Sequence, residues 1–279
     1  MTNKYQTIIN NLKNWGEKSE KLFGAVIIGS QSRIDNMADE YSDIDIIMFV
    51  DDSDYFINSD QWLENIGKYH ISFIEHSIDN QKARRILLDS VLDVDFIIVS
   101  KNHVDFINGY ASILFKHGYN ILIDKINLQN ELSKINNIEK ENTILTEQDF
   151  LNTINDFWFH SVWTVKKIKR GELFIAKGCL DNYMKQKLLK IIEYHSKSIY
   201  GENYNTWYDG RFIEKWAESW IIERLTQCYS HYNKEDMKKA LLSTMDLFRV
   251  ISIKTAEQIN ICYPYKVDKY ASEYVNSML

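Results

Sequence analysis

Gly29-Ser30 follows the apolar run Ala25-Val26-Ile27-Ile28, and Asp43-Ile44-Asp45 opens a second run, Ile46-Ile47-Met48-Phe49-Val50. Both runs have the length and β-branched content of buried strands. Side chains alternate along a strand, so Asp43 and Asp45 share one face. A third acid, Asp95, sits in a third run of the same kind, Val94-Asp95-Phe96-Ile97-Ile98-Val99. It reaches the same point if its strand lies beside the strand that carries Asp43 and Asp45. Carboxylates a few ångströms apart repel unless a cation stands between them. Mg²⁺ is the natural cation, because it takes oxygen ligands octahedrally and keeps positions open for phosphate oxygens. Gly29 lets the backbone approach phosphate closely, and Ser30 offers a hydroxyl and an N–H. Asp-x-Asp alone is an ordinary solvated strand end; the three acids together with the Gly-Ser turn suit Mg²⁺, a nucleoside triphosphate and nucleotidyl transfer. Asp95 then binds metal or accepts the proton of an attacking hydroxyl. Asp93 lies on the same face and is the alternative third acid, with the more strand-like continuation Phe96-Ile97-Ile98 favouring Asp95.

Outward from these runs, strands are expected at 24–29, 43–50, 69–75 and 92–99, with a small one at 119–123. A helix over 1–20 carries Tyr5, Ile8, Ile9, Leu12 and Trp15 in a 3-4 spacing. A short helix is expected near 101–108. The largely polar stretch 127–142 reads as a linker. Thr146-Glu147-Gln148-Asp149 resembles a capping box and starts a helix that Gly171 stops. Further helices are expected at 172–199, 211–231, 234–260 and 267–277, with the only proline, Pro264, between the last two. The fold class is therefore α+β: a mixed sheet with helices over 1–135, then an all-α bundle over 136–279.

The 279 residues suffice for two domains, and 45% hydrophobic content is ordinary for a globular chain. A net charge of −6 argues against a nucleic-acid or anionic-membrane partner and favours a cationic small molecule. Residues 1–15 lack the pattern of a signal peptide, and no run of about 20 apolar residues could span a bilayer. The three cysteines, Cys179, Cys228 and Cys262, form no CxxC pair and fit a reducing, cytoplasmic setting. No HxxxH-type pair suggests zinc. The basic run Lys166-Lys167-Ile168-Lys169-Arg170 falls in the last turn of a helix, where it complements the helix dipole.

The core pattern is that of the DNA-polymerase-β-like nucleotidyltransferase superfamily. Gly29-Ser30-Gln31, then Asp39-Glu40-Tyr41-Ser42-Asp43-Ile44-Asp45, Phe56-Ile57 and Asp60-Gln61-Trp62-Leu63 together resemble the aminoglycoside 6-adenylyltransferases, also called streptomycin adenylyltransferases. The resemblance continues through Phe157-Trp158, the run Lys187 to Glu193, Gly210-Arg211-Phe212-Ile213-Glu214, Leu247-Phe248-Arg249 and Tyr263-Pro264. It departs at the turn, where the family often has Gly-Ser-Arg and this chain has Gln31, with Arg33 two residues on. It departs again at Lys185, where relatives tend to carry arginine.

The resemblance implies transfer of AMP from Mg²⁺-ATP to an aminoglycoside hydroxyl, position 6 of streptomycin, with release of pyrophosphate. Asp43, Asp45 and Asp95 would hold the metal, and Asp95 would take the hydroxyl proton. Gly29, Ser30, Arg33 and Lys185 would face the nucleotide phosphates. Streptomycin carries guanidinium groups, so acids and aromatic faces should line its side. Asp156 and Trp163, seven residues apart on one helix, are candidates, with His160 between them. The expected partner is this small molecule, with no nucleic acid, no membrane and a monomeric chain. The rival readings are a different aminoglycoside or a lincosamide, or a macromolecular acceptor.

Overall fold

A computed structural model describes residues 3–33, 38–109, 112–135 and 146–279. The chain divides into two units, Met1–Lys140 and Glu141–Leu279. The boundary expected at 135/136 borders residues 136–145, which lie outside the described residues, as does the second half of the expected linker.

The first unit is built on a sheet of β1 (Leu22–Ile28), β2 (Ile44–Val50), β3 (Tyr69–His76), β4 (Lys82–Leu88), β5 (Leu92–Ser100) and β6 (Asn120–Asp124). The strand order is β3-β4-β5-β2-β1-β6. Among the described residues β2 and β5 run parallel and every other pairing is antiparallel. Both central strands are apolar on both faces because both faces are covered. Ile44, Ile46, Met48, Val94 and Phe96 pack with α1 (Gln6–Lys18) and with Phe56 and Trp62. Ile47, Phe49, Ile97 and Val99 pack on the other side with Phe106, Phe115, Leu128 and Leu132.

Two features of this unit depart from the sequence expectation. Strand β4 was not expected, because Arg84 and Arg85 interrupt its apolar pattern. They point to opposite faces: Arg84 is buried and binds Ile57 O, Asp60 and the Ser72 hydroxyl, the last at 2.6 Å. The motif residue Asp60 is thus a structural counter-ion, and Trp62 is a core residue whose indole donates to Phe56 O at 3.0 Å. The start of the expected linker is instead the helix α4 (Leu128–Ile135), next to a short α3 (Ser112–Lys116). Leu128, Leu132 and Ile135, spaced along one side of α4, are buried against the sheet, which is why the segment is not open chain. The helix expected near 101–108 is a 3₁₀ turn, Val104–Asn108.

The second unit is helical: α5 (Glu147–Lys169), α6 (Leu173–Gly178), α7 (Met184–Tyr200), α8 (Ile213–Trp216), α9 (Ser219–Leu225), α10 (Lys234–Gln258) and α11 (Tyr265–Met278). The first unit also holds the short helix α2 (Ser53–Asn58). Thr146 caps α5 as expected, its Oγ1 accepting from Asp149 N at 3.1 Å. The helix expected over 172–199 runs without a gap as α6, a π-helical turn at Cys179–Tyr183 and α7. The one expected over 211–231 is broken between α8 and α9, where Glu218 adopts an extended backbone. From there its carboxylate meets His195 at 2.9 Å and Trp220 Nε1 at 3.0 Å, tertiary bonds that an uninterrupted helix would forgo.

The family-like residues of this half converge in its core. The Phe157 and Phe248 rings stack at 3.6 Å. Trp158 Nε1 donates to the Tyr263 hydroxyl at 3.2 Å, and that hydroxyl donates to Asp268 at 3.0 Å. Arg249 clasps Asp268 through two bonds of 2.7 Å. Burial, with the neighbouring Asp268 charge, pushes the Tyr263 hydroxyl pKa far above its usual range. Each of these polar groups has a partner, and all but the half-buried Arg249 are buried, so the set specifies packing.

Candidate active site

Strand register brings the acids together. Asp45 of β2 is the direct parallel partner of Asp95 in β5. Asp43 stands just before β2, two residues from Asp45 and therefore on its side. One carboxylate oxygen from each of Asp43, Asp45 and Asp95 lies within 4.8 Å of the others. Asp93 pairs with Leu87 one step along the strand and is exposed. It stands outside the cluster, so the geometry selects Asp95 of the two alternatives. Three carboxylate oxygens at this spacing, half-buried to buried, form a hard-oxygen donor set that fits a divalent cation of the Mg²⁺ type.

The Gly-Ser turn lies directly against this cluster. Gly29 has φ +69°, and a Cβ placed on it would stand 2.3 Å from Asp45 Oδ2. Only glycine fits both the backbone and the space. Ser30 Oγ and Gln31 Nε2 both donate to the Asp43 carbonyl, at 3.4 and 3.0 Å. Gln31 is thus buried and fixes the backbone at the first acid. Ser32 Oγ donates to Gly29 O and Gly118 O at 3.1 and 2.9 Å. Gly118, at φ +125°, must lack a side chain because a Cβ would meet Ser32 O at 2.3 Å. Arg33 follows, half-buried. The approach to Asp43 is held from the other side: Asp39 accepts from Tyr41 N and Ser42 Oγ at 2.9 Å each, and the Tyr5 hydroxyl donates to Ser42 O at 3.0 Å. Burial pushes the Tyr5 hydroxyl pKa up to about 12, so it stays a donor at neutral pH.

Arg85 is the site residue that sequence reading missed. It is the cross-strand partner of Asp95 and donates to it through Nε at 2.6 Å and through a terminal nitrogen. Both bonds fall on Oδ2, and Oδ1 keeps capacity for a cation or a proton. Arg85 also meets Glu75 at 3.3 Å. The bond to Asp95 raises the guanidinium pKa above its usual range, so the charge beside Asp95 is permanent. The signal was the period-two pattern Ala83, Arg85, Leu87 against Arg84, Ile86, Leu88.

The other expected site residues lie in the second unit. Lys185 is buried and donates to Leu180 O at 2.9 Å and Thr244 Oγ1 at 3.0 Å, with its ammonium 5.0 Å from the Tyr229 ring. It borders a cavity of about 310 Å³ with Asp181, Gln186 and Tyr229. Asp156 accepts from Tyr183 at 3.0 Å and pairs with Lys187 and His160 at 2.7 Å each. The Trp163 ring has Lys167 over it at 5.1 Å. Both therefore have cationic partners already in place.

Burial brings the Lys185 ammonium down to about 8 from 10.5. Between those values the unfolded chain binds more protons than the folded one, so this group makes stability rise with pH across that window. The full effect is on the order of 3 kcal/mol. Lys185→Met should remove it. The difference in unfolding free energy between wild type and variant, measured from pH 7 to pH 10.5, should shift in favour of wild type as pH rises. A flat difference would place the amine in water.

Acids paired across parallel strands, with a glycine turn closed over one of them, suit nucleotidyl transfer, and membership of an adenylyltransferase family makes the chain a nucleotidyltransferase. The profile of the family described as streptomycin adenylyltransferase matches residues 2–278, and the chain belongs to that family. Membership implies ATP as co-substrate. The chain is 24% identical to an aminoglycoside 6-adenylyltransferase of Bacillus subtilis (strain 168), over 93% of this chain and 92% of that protein. It is 22% identical to proteins of the same name from Campylobacter jejuni, over 94% and 91%, and Staphylococcus aureus, over 92% and 92%. A crystal structure of an aminoglycoside 6-adenyltransferase from Bacillus subtilis aligns with TM-score 0.47 and 21% identity, covering 98% of this chain and 96% of that one. Among the described residues, no helix is long and apolar enough to cross a membrane.

Proposed function

We propose that this protein transfers AMP from Mg²⁺-ATP to a hydroxyl of an aminoglycoside, position 6 of streptomycin, and releases pyrophosphate. The observation that carries the reading is the convergence of Asp43, Asp45 and Asp95 beside Gly29 in a member of this family. The hydroxyl oxygen attacks the α-phosphorus in line, the bond from that phosphorus to the bridging oxygen breaks, and pyrophosphate leaves with the electron pair. Asp95, held by Arg85 through Oδ2, accepts the hydroxyl proton. Asp43 and Asp45, with Asp95, would hold Mg²⁺, which when bound would supply stabilisation of the charge that builds on the phosphates. Ser30 and the N–H groups of its turn, with Arg33, face the triphosphate; Lys185 is the proposed cation from the helical unit. Asp156 is a candidate contact for a drug guanidinium, which would have to replace Lys187 on the carboxylate. The enzyme works as a cytoplasmic monomer.

The test is pyrophosphate release from Mg²⁺-ATP with streptomycin, other aminoglycosides or a lincosamide as acceptor. Release is expected with streptomycin, and mass spectrometry should find one AMP on the drug. Release with a lincosamide alone would overturn the acceptor class. No release with any drug, in protein that binds Mg²⁺-ATP, would move the acceptor to a metabolite or macromolecule.

A further inference from the structure

The row of side chains that contains the reacting acids does not stop at them. On that face of the sheet, Asp45 pairs with Asp95, Asp95 with Arg85, and Arg85 with Phe73 of β3. The row on one side runs Asp93, Leu87, Ile71, and the row on the other runs Ile97, Ala83, Glu75. The covering layer that buries Ile97 and Ala83 ends there. Beyond it Phe73 is 50% exposed and Ile71 is 55% exposed, on the edge strand. Phe73 thus presents an exposed phenyl ring in line with the Asp95 carboxylate. Strands are spaced by about 4.8 Å, so Phe73 stands roughly 10 Å from Asp95 across the sheet, the reach of two sugar rings.

We propose that Phe73, flanked by Ile71 and Glu75, is an acceptor subsite. With an acceptor hydroxyl at Asp95, a cationic ring of the same molecule lies over the Phe73 face and directs its charge to Glu75. This rests on the aminoglycoside reading above. The chemistry fits that class of molecule. A guanidinium or ammonium is attracted to an aromatic face, the ring carbons of a sugar cover apolar surface, and the Glu75 carboxylate, which meets Arg85 through Oε1 at 3.3 Å, is 43% exposed at its side chain and offers Oε2 to a second cation. Arg85 stands between the two contacts, so the same guanidinium that holds Asp95 repels an acceptor cation from the space above it and biases the cationic ring outward to Phe73.

The test compares Phe73→Ser, Phe73→Trp and Ile74→Ser with wild type in streptomycin-dependent pyrophosphate release, with streptomycin binding measured by calorimetry. Ile74 lies on the opposite face of the same exposed strand, so it reports damage to the strand itself. Phe73→Ser should raise KM and Kd for streptomycin about tenfold, with kcat and the KM for ATP within about twofold of wild type. Phe73→Trp should restore wild-type values, and Ile74→Ser should match wild type. A wild-type KM in Phe73→Ser would overturn the subsite. Equal losses in Phe73→Ser and Ile74→Ser would do the same, assigning the effect to the strand. A wild-type dimer that Phe73→Ser converts to a monomer would also overturn it, giving the strand to a second copy of the chain. Absence of turnover with every aminoglycoside would appear in wild type before any variant is compared, and would remove the reading together with the subsite.

Discussion

Asp45→Asn is expected to lower metal-dependent turnover by about a thousandfold or more while leaving the protein folded. The magnitude follows from the role of the group. Asp45 sits between the other two acids, in register with Asp95 and two residues from Asp43, and supplies one of the three oxygens that converge. An amide presents one oxygen without charge and loses the several kcal/mol of charge stabilisation that a held divalent ion gives at a phosphoryl centre. The stability argument runs the other way. Three carboxylates so close together repel in the metal-free protein, and neutralising one of them relieves that cost. The melting temperature without metal should therefore stay level or rise, and the stabilisation that wild type gains from added Mg²⁺ should shrink. Kinetics with pyrophosphate detection and thermal melts with and without Mg²⁺ check both halves. An active variant with unchanged metal response would remove Asp45 from the metal site.

The sequence carried this cluster because two regularities of strands are visible in it. Asp43 and Asp45 alternate with buried apolar residues, and a second apolar run around Asp95 needed only to pair with theirs. What it did not carry was the strand beside β5. Lys82, Arg84 and Arg85 look like surface chain, and their roles appear only once β4 is placed. One arginine then ties Asp60 under the sheet and the other grips Asp95 above it. The same limit applies to the turn. Gln31 reads in the sequence as a departure from the resembling turn, with Arg33 two residues on, whereas in the fold its amide secures the Asp43 carbonyl. The helical half was legible as helices from its 3.6-residue periodicity. Its breaks were not, because Glu218 leaves the helix for a bond to His195, a partner 23 residues away. Nor did spacing reveal that Asp156 is matched by Lys187. Long-range pairing of charges has no local pattern, so a lone acid on a helix face reads the same whether it awaits a substrate or already holds a lysine.

Gly29→Ala should cost about a hundredfold in kcat, although it adds one methyl group and removes no functional atom. Two effects act at this position and a second glycine separates them. Gly29 has φ +69° and Gly171 has φ +76°, so alanine at either site meets the same backbone penalty, on the order of 1 kcal/mol. At Gly171 the new Cβ meets nothing within 4 Å, whereas at Gly29 it would stand 2.3 Å from Asp45 Oδ2. A gap of that size is far inside contact distance, and the atom met is a site carboxylate packed between Asp43 and Asp95. Either the turn or the carboxylate must move by about an ångström, and misplacement on that scale at a reacting centre costs roughly a hundredfold. Gly171→Ala should therefore lose stability alone, with wild-type kcat and KM. Gly29→Ala should lose at least as much stability and, in addition, turnover and the response to Mg²⁺. Equal activity in the two variants would mean that the turn yields without disturbing Asp45, and that Gly29 serves the backbone and not the metal site.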